Sequence, residues 1–157
     1  MKTILCACLL VTALPAGIST VAAQTPAKPK VAARTITLTG NDQMKFDKTT
    51  IAAKPGETIR IVMKSAGTMP KTVMGHNFVL LKLGTDVAAF STAAFNARAT
   101  DFIPPDKSAI IANTKLAGPG ESVEVTFKVP AKAGSYDYLC SFPGHAAVGM
   151  RGKLIVK

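Results

Sequence analysis

The sequence contains no tryptophan, only two histidines and only three cysteines in 157 residues. Two of those cysteines, Cys6 and Cys8, lie within the first ten positions, so the rest of the chain has Cys140 alone. A single cysteine cannot close an internal disulfide, which excludes a disulfide-stapled scaffold for residues beyond that point. Acids are also scarce, with 9 Asp and Glu against 19 Lys and Arg, a net charge of +10. The basic residues are scattered, and aromatics do not alternate with them as in a single-strand binding groove, so no nucleic-acid function is expected. Such a balance suits an acidic protein partner or passing contact with an anionic membrane surface.

Long apolar runs are missing as well. The longest, Ile4 to about Leu14, falls short of the roughly 20 residues of a membrane helix, so no membrane span is expected. It follows Lys2 and leads into Val21-Ala22-Ala23, the layout of a secretory signal cut after Ala23. An uncleaved anchor is the competing reading. With the signal peptide at residues 1–23, the expected location is periplasmic. Cys6, Cys8 and Lys2 then leave together, and 18 basic residues remain against 9 acids. The basic balance therefore belongs to the exported part.

What remains is enough for one domain. Residues 24–33, rich in Pro, Ala and Lys, form a flexible lead-in. Residues 34–157 form the domain. Short β-branched runs ("RTITLTGND", "QMKFDKTT", "TIRIVMKS", "HNFVLLKL", "SAIIANTK", "ESVEVTFKVP", "GSYDYLC", "RGKLIVK") alternate with the turn signals "KPGE", "AGPGE" and "AKAGS". This spacing predicts an all-β antiparallel sandwich or barrel. One stretch differs: Phe90, Ala93, Ala94 and Ala97 recur at helical spacing, which predicts a helix over about residues 87–98 on the outside of the sandwich.

The scarce donor side chains converge on "CSFPGHAAVGM", where Cys140, His145 and Met150 are each separated by four residues. The loop joins two strand-like runs, and Pro143-Gly144 supplies a sharp bend. The other histidine, His76, sits on a different strand. Singly, each residue has an ordinary explanation: a satisfied core histidine, a filler methionine, a buried thiol. Together, two imidazoles, a thiolate and a thioether make the donor set of a type 1 electron-transfer copper site, His₂Cys with a weak axial Met. Zinc accepts two imidazoles and a thiolate but takes a thioether poorly.

At these residues the chain resembles the cupredoxins, and the azurins in particular. "GNDQM" (Gly40 to Met44), "MPK" with "VMGHN" (Met69 to Asn77), "IIANTKL" and "CSFPGH" (Cys140 to His145) are similar to azurin stretches in the same order, over about residues 35–157. The resemblance implies a Greek-key sandwich of eight strands with a flap helix, and one copper held by His76, Cys140 and His145 with Met150 axial. It further implies that the carbonyl of Gly75 approaches the metal and that Asn77 braces the cysteine loop, orienting the ligands. Four features depart from azurins. The His145-to-Met150 step has an extra residue, Gly149, as in auracyanins. The end disulfide has no cysteines, and "KPGE" occupies one of its turns. Phe78 stands in for the missing core tryptophan. Ser65 replaces a titrating histidine, so the corresponding pH-linked switch is not expected.

The implied function is the carrying of single electrons, without enzymatic turnover. His145 would be the exit for electrons, within an apolar partner patch of Met44, Met74, Phe142, Pro143, Ala146, Ala147 and Val148. Lys71, Arg151 and Lys153 would steer an acidic docking face on a c-type cytochrome or a copper enzyme. The alternative is a periplasmic copper carrier or buffer, which would need an open, methionine-rich site. An oxidase or reductase would need a second copper and more histidines than the two present. A metal-free adhesive sandwich would leave the donor coincidence without a reason.

Overall fold

A computed structural model describes residues 32–157. The expected signal peptide and most of the expected lead-in lie outside the described residues. From Arg34 onward, alternation along the chain becomes alternation of exposure. β1 (Arg34–Asn41) turns Leu38 and Gly40 inward, and β4 (Thr58–Ser65) turns Ile59, Ile61, Met63 and Ser65 inward. With β2 (Lys45–Phe46) and β7 (Ser122–Lys128) they form a sheet in the order β2-β1-β4-β7. The second sheet runs β3-β9-β8-β5-β6, from β3 (Thr50–Ala53), β9 (Arg151–Val156), β8 (Gly134–Leu139), β5 (Val79–Leu81) and β6 (Ile110–Asn113). β1 with β4 and β3 with β9 are parallel pairs; the others are antiparallel. The result is an open two-sheet sandwich rather than a closed barrel.

The run expected as one strand after "GNDQM" pairs with the first sheet only at Lys45–Phe46, then joins the second at Thr50. Thus one chain segment serves both sheets, which raises the segment count from the expected eight to nine. Between the sheets lie Leu38, Ile59, Ile61, Met63, Phe127, Phe78, Leu80, Tyr138 and Leu154, all buried. Each such side chain contributes about 1.5–3 kcal/mol relative to exposure. Phe78, expected in the place of the missing tryptophan, is 1% exposed and stacks on Phe127 at 6.3 Å between centroids.

β5 is buried on both faces because Val79 and Leu81 point away from this core, under α2 (Val87–Phe95). The helix starts where Asp86 accepts hydrogen bonds from the amides of Ala88 and Ala89, and it buries Phe90 and Ala94 against Val79, Leu81 and Leu139. It ends at Phe95 rather than near residue 98: Asn96 is the cap, and Arg98–Thr100 continues as a separate 3₁₀ turn. Ala93, expected on the packed face, is exposed. A second short helix, α1 (Lys71–Met74), unpredicted from the sequence, leads directly to Gly75 and His76.

Candidate metal centre

β8 stops at Leu139 and β9 starts at Arg151, and these two residues are cross-strand partners. The loop between them therefore begins and ends at one point of the sheet, with Cys140 and Met150 at its two feet. The amide of Cys140 donates to the carbonyl of Met150 at 3.1 Å, and the amide of Met150 donates to the carbonyl of His145 at 2.9 Å. Inside, the amide of His145 donates to the carbonyl of Phe142 at 3.1 Å. Gly144, with φ 82°, takes the left-handed conformation that the bend requires. His76 enters from the other side, its backbone bridged to Ala117 through bonds of 2.9 and 2.7 Å.

These elements gather the expected donors. One ligand atom each from His76, Cys140 and His145 lies within 4.8 Å of the others, and all three residues are buried. Cys140 Sγ is 3.4 Å from His145 Nδ1, and the imidazole centroids of His76 and His145 are 5.1 Å apart. Met150 is fully buried, and its methyl occupies the space over Gly40: a Cβ there would come within 2.7 Å of Met150 Cε and 3.1 Å of His76 Cγ. The carbonyl of Gly75 faces Cys140 Sγ at 3.9 Å.

Neither ring nitrogen of the buried His76 makes a hydrogen bond of good geometry among the described residues, although the Asn41 backbone lies close. Such orphaned nitrogens are costly unless something occupies them. Burial, partly offset by Asp42 and the Asn41 backbone, lowers the His76 pKa, and burial with the nearby His76 lowers that of His145 to about 4. Both imidazoles are thus neutral at pH 7 and have lone pairs to give. Burial pushes the Cys140 thiol up to about 12, partly offset by the nearby backbone of Asn77 and Phe142. The thiol therefore ionises only when a cation arrives. Two neutral imidazoles, a buried sulfur beside one of them and an adjacent thioether fit copper.

Asn77 joins the two halves of the site. Its Oδ1 accepts from the amide of Ser141 at 2.8 Å, and its Nδ2 donates to Ser141 Oγ at 2.8 Å and to the carbonyl of Asp101 at 3.1 Å.

Of the expected partner patch, Ala147 and Val148 are exposed, and Met44, Met74 and Pro143 are half-buried. Phe142 and Ala146 are instead buried as packing, Phe142 edge-on to Phe102 at 5.0 Å. His145 itself is only 2% exposed. The sequence reading missed Met69 and Val73, which are 39% and 53% exposed on the approach to His76. Of the expected steering charges, Lys71 pairs with Glu121 at 3.0 Å and Lys153 with Asp137 at 2.6 Å. Arg151 takes no ion pair among the described residues.

The sequence reading also missed Asp42, whose Oδ2 accepts from the amide and hydroxyl of Thr68 at 2.8 and 3.0 Å and so ties down the segment before α1. Both Gly40 and Asp42 lay inside "GNDQM", but nothing local marks which residues they meet.

Residues 32–157 match the family described as "Copper binding proteins, plastocyanin/azurin family". The chain is 41% identical over 117 residues to auracyanin-A of Chloroflexus aurantiacus, covering 73% of this chain and 68% of that one. It is 38% identical over 125 residues to azurin of Pseudomonas aeruginosa, covering 78% and 84%. Among solved structures it resembles dithionite-reduced auracyanin from Roseiflexus castenholzii, with TM-score 0.71 and 39% identity over 80% of this chain and 98% of that one. Sandwich, donor cluster and relatives agree: the chain belongs to the copper-binding plastocyanin/azurin family, as an azurin-like blue copper protein for electron transfer and not an enzyme.

Proposed function

We propose that His76, Cys140 and His145 hold one copper per chain, with Met150 axial and the Gly75 carbonyl beside it, and that the protein is exported to exchange single electrons with a redox partner in the periplasm. Bound copper would supply the one-electron couple between Cu(I) and Cu(II). The observation that carries this reading is the burial of all three donors in a cluster where His76 has no other partner.

The residues' task is to stay still. Cys140 and Met150 are locked by their mutual backbone bond, His76 by its bridge to Ala117, and the two halves by Asn77 and Ser141. A donor set that need not move between oxidation states keeps the reorganisation small. The same burial argues against a copper carrier, whose donors must open to exchange metal. The exposed apolar side chains of Ala147 and Val148, on the His145 loop, and of Met69 and Val73, in the segment before His76, offer the small contact that weak redox encounters use. Among the expected basic residues, Arg151 has its charge free to steer an acidic face such as that of a c-type cytochrome.

Stopped-flow mixing of the copper-loaded, oxidised protein with a reduced c-type cytochrome tests the function. One electron taken up per chain, in a rate that falls with salt, supports it. A protein that loses its copper to the medium during reduction would instead be a carrier.

A further inference from the structure

Lys45 lies on β2, at the edge of the first sheet, 103 residues before Val148. Its Nζ nevertheless donates to the carbonyl of Val148 at 2.7 Å. No backbone amide among the described residues reaches that carbonyl. The loop's own bonds stop short of it, from Val148 back to Gly144 and from Gly149 back to Ala146, both at 3.2 Å. Next comes Gly149, at φ 97°, the extra residue of the His145-to-Met150 step. A Cβ on Gly149 would lie 3.1 Å from Lys45 Nζ. The loop thus has its most permissive backbone immediately before Met150, and the ammonium sits against that point.

Lys45 is fixed in turn. Its backbone pairs with Asn41 of β1, and its amide donates to Asn41 Oδ1 at 3.2 Å. One residue before Asn41, Gly40 seats the Met150 methyl. The β1–β2 hairpin therefore grips the end of the loop twice, beneath the thioether and on the carbonyl two residues before it.

We propose that Lys45 is a positioning residue for Met150: its bond to the Val148 carbonyl fixes the lengthened loop and so the placement of the thioether toward the metal. This inference rests on the assignment of Met150 as the axial ligand. Lys45 is exposed, so its substitution leaves the core intact.

The test uses the copper-loaded protein with Lys45→Gln and Lys45→Arg, reading the ratio of the two thiolate-to-copper absorption bands and the rate of copper loss to a chelator. Partners of this kind are worth roughly 10-fold or more in metal affinity. Lys45→Gln should therefore change the band ratio and release copper roughly 10-fold faster, with Lys45→Arg restoring both. A Lys45→Gln protein that shifts only its reduction potential, with bands and release rate unchanged, would show the lysine acting as a charge and overturn the inference. If the unsubstituted protein shows no thiolate-to-copper band, the site assignment itself fails and takes this inference with it.

Discussion

Asn77 and Ser141, 64 residues apart, hold each other by two 2.8 Å hydrogen bonds, one from the Ser141 amide to Asn77 Oδ1 and one from Asn77 Nδ2 to Ser141 Oγ. Each is next to a metal-donor residue, Asn77 after His76 and Ser141 after Cys140, so the pair sets the spacing of the two halves of the site. Both are buried, and neither can turn to water when its partner is lost. Asn77→Leu should cost about 2 kcal/mol or more in stability, because it leaves the Ser141 amide unsatisfied. Copper affinity should fall by roughly 10-fold. Urea unfolding of the apoprotein and competition with a copper chelator would measure the two effects separately.

The depressed histidines make the apoprotein acid-sensitive above the range where carboxylates titrate. In the unfolded chain His145 takes up a proton near its ordinary 6.5, whereas in the fold it resists protonation until about 4. Between those values the unfolded state binds more protons, so stability falls as pH falls. His76 is shifted in the same direction. Urea midpoints of the apoprotein should therefore drop from pH 7 to pH 5, and His145→Gln should flatten the slope. A flat wild-type profile over that interval would contradict the burial of these rings.

A side chain at Gly40 is predicted to disturb the seat of Met150. Alanine there would place its methyl 2.7 Å from Met150 Cε and 3.1 Å from His76 Cγ, so the end of the Met150 side chain must shift. Gly40→Ala should destabilise by about 1–3 kcal/mol and alter the copper spectrum through Met150 and His76. Unfolding and visible absorption on the same sample would check both.

The contact surface is separable from the site. Val148 is 49% exposed, and Val148→Asp should leave the copper spectrum unchanged. A carboxylate must be desolvated in an apolar contact, so electron transfer to a redox protein should slow by roughly 10-fold. Equal rates for the two proteins would move the docking surface elsewhere.

The sandwich was legible because alternation is local: "TIRIVMKS" states its own inward face, and Ile59, Ile61 and Met63 take it. The donor loop was legible because Cys140, His145 and Met150 lie on one stretch between two strands that the structure pairs at Leu139 and Arg151. The change of sheet between Phe46 and Thr50 has only a weak signature: in "KFDKTTIAA" the buried Phe46 and Ile51 are five positions apart, out of alternation, but only pairing assigns the two halves to different sheets. The burial of Phe142 depends on Phe102, 40 positions earlier, and the neutralisation of Lys71 on Glu121, 50 positions later. Helix α1, four residues long with no capping side chain, is too short to carry a period. Asn77 was reached through resemblance to a family, and Lys45 not at all, because contacts across more than a hundred residues leave no trace in spacing.

The central claim is that the Cys140 sulfur binds copper as a thiolate. Its thiol is protonated at pH 7, with its pKa pushed up to about 12, and both imidazoles are neutral. Adding one equivalent of Cu(II) to the metal-free protein, while recording visible absorption and proton release, tests the claim directly. The account predicts an intense thiolate-to-copper band, saturating at one copper per chain with one proton released, and both lost in Cys140→Ser. Copper bound without that band, or a band that survives in Cys140→Ser, would contradict it.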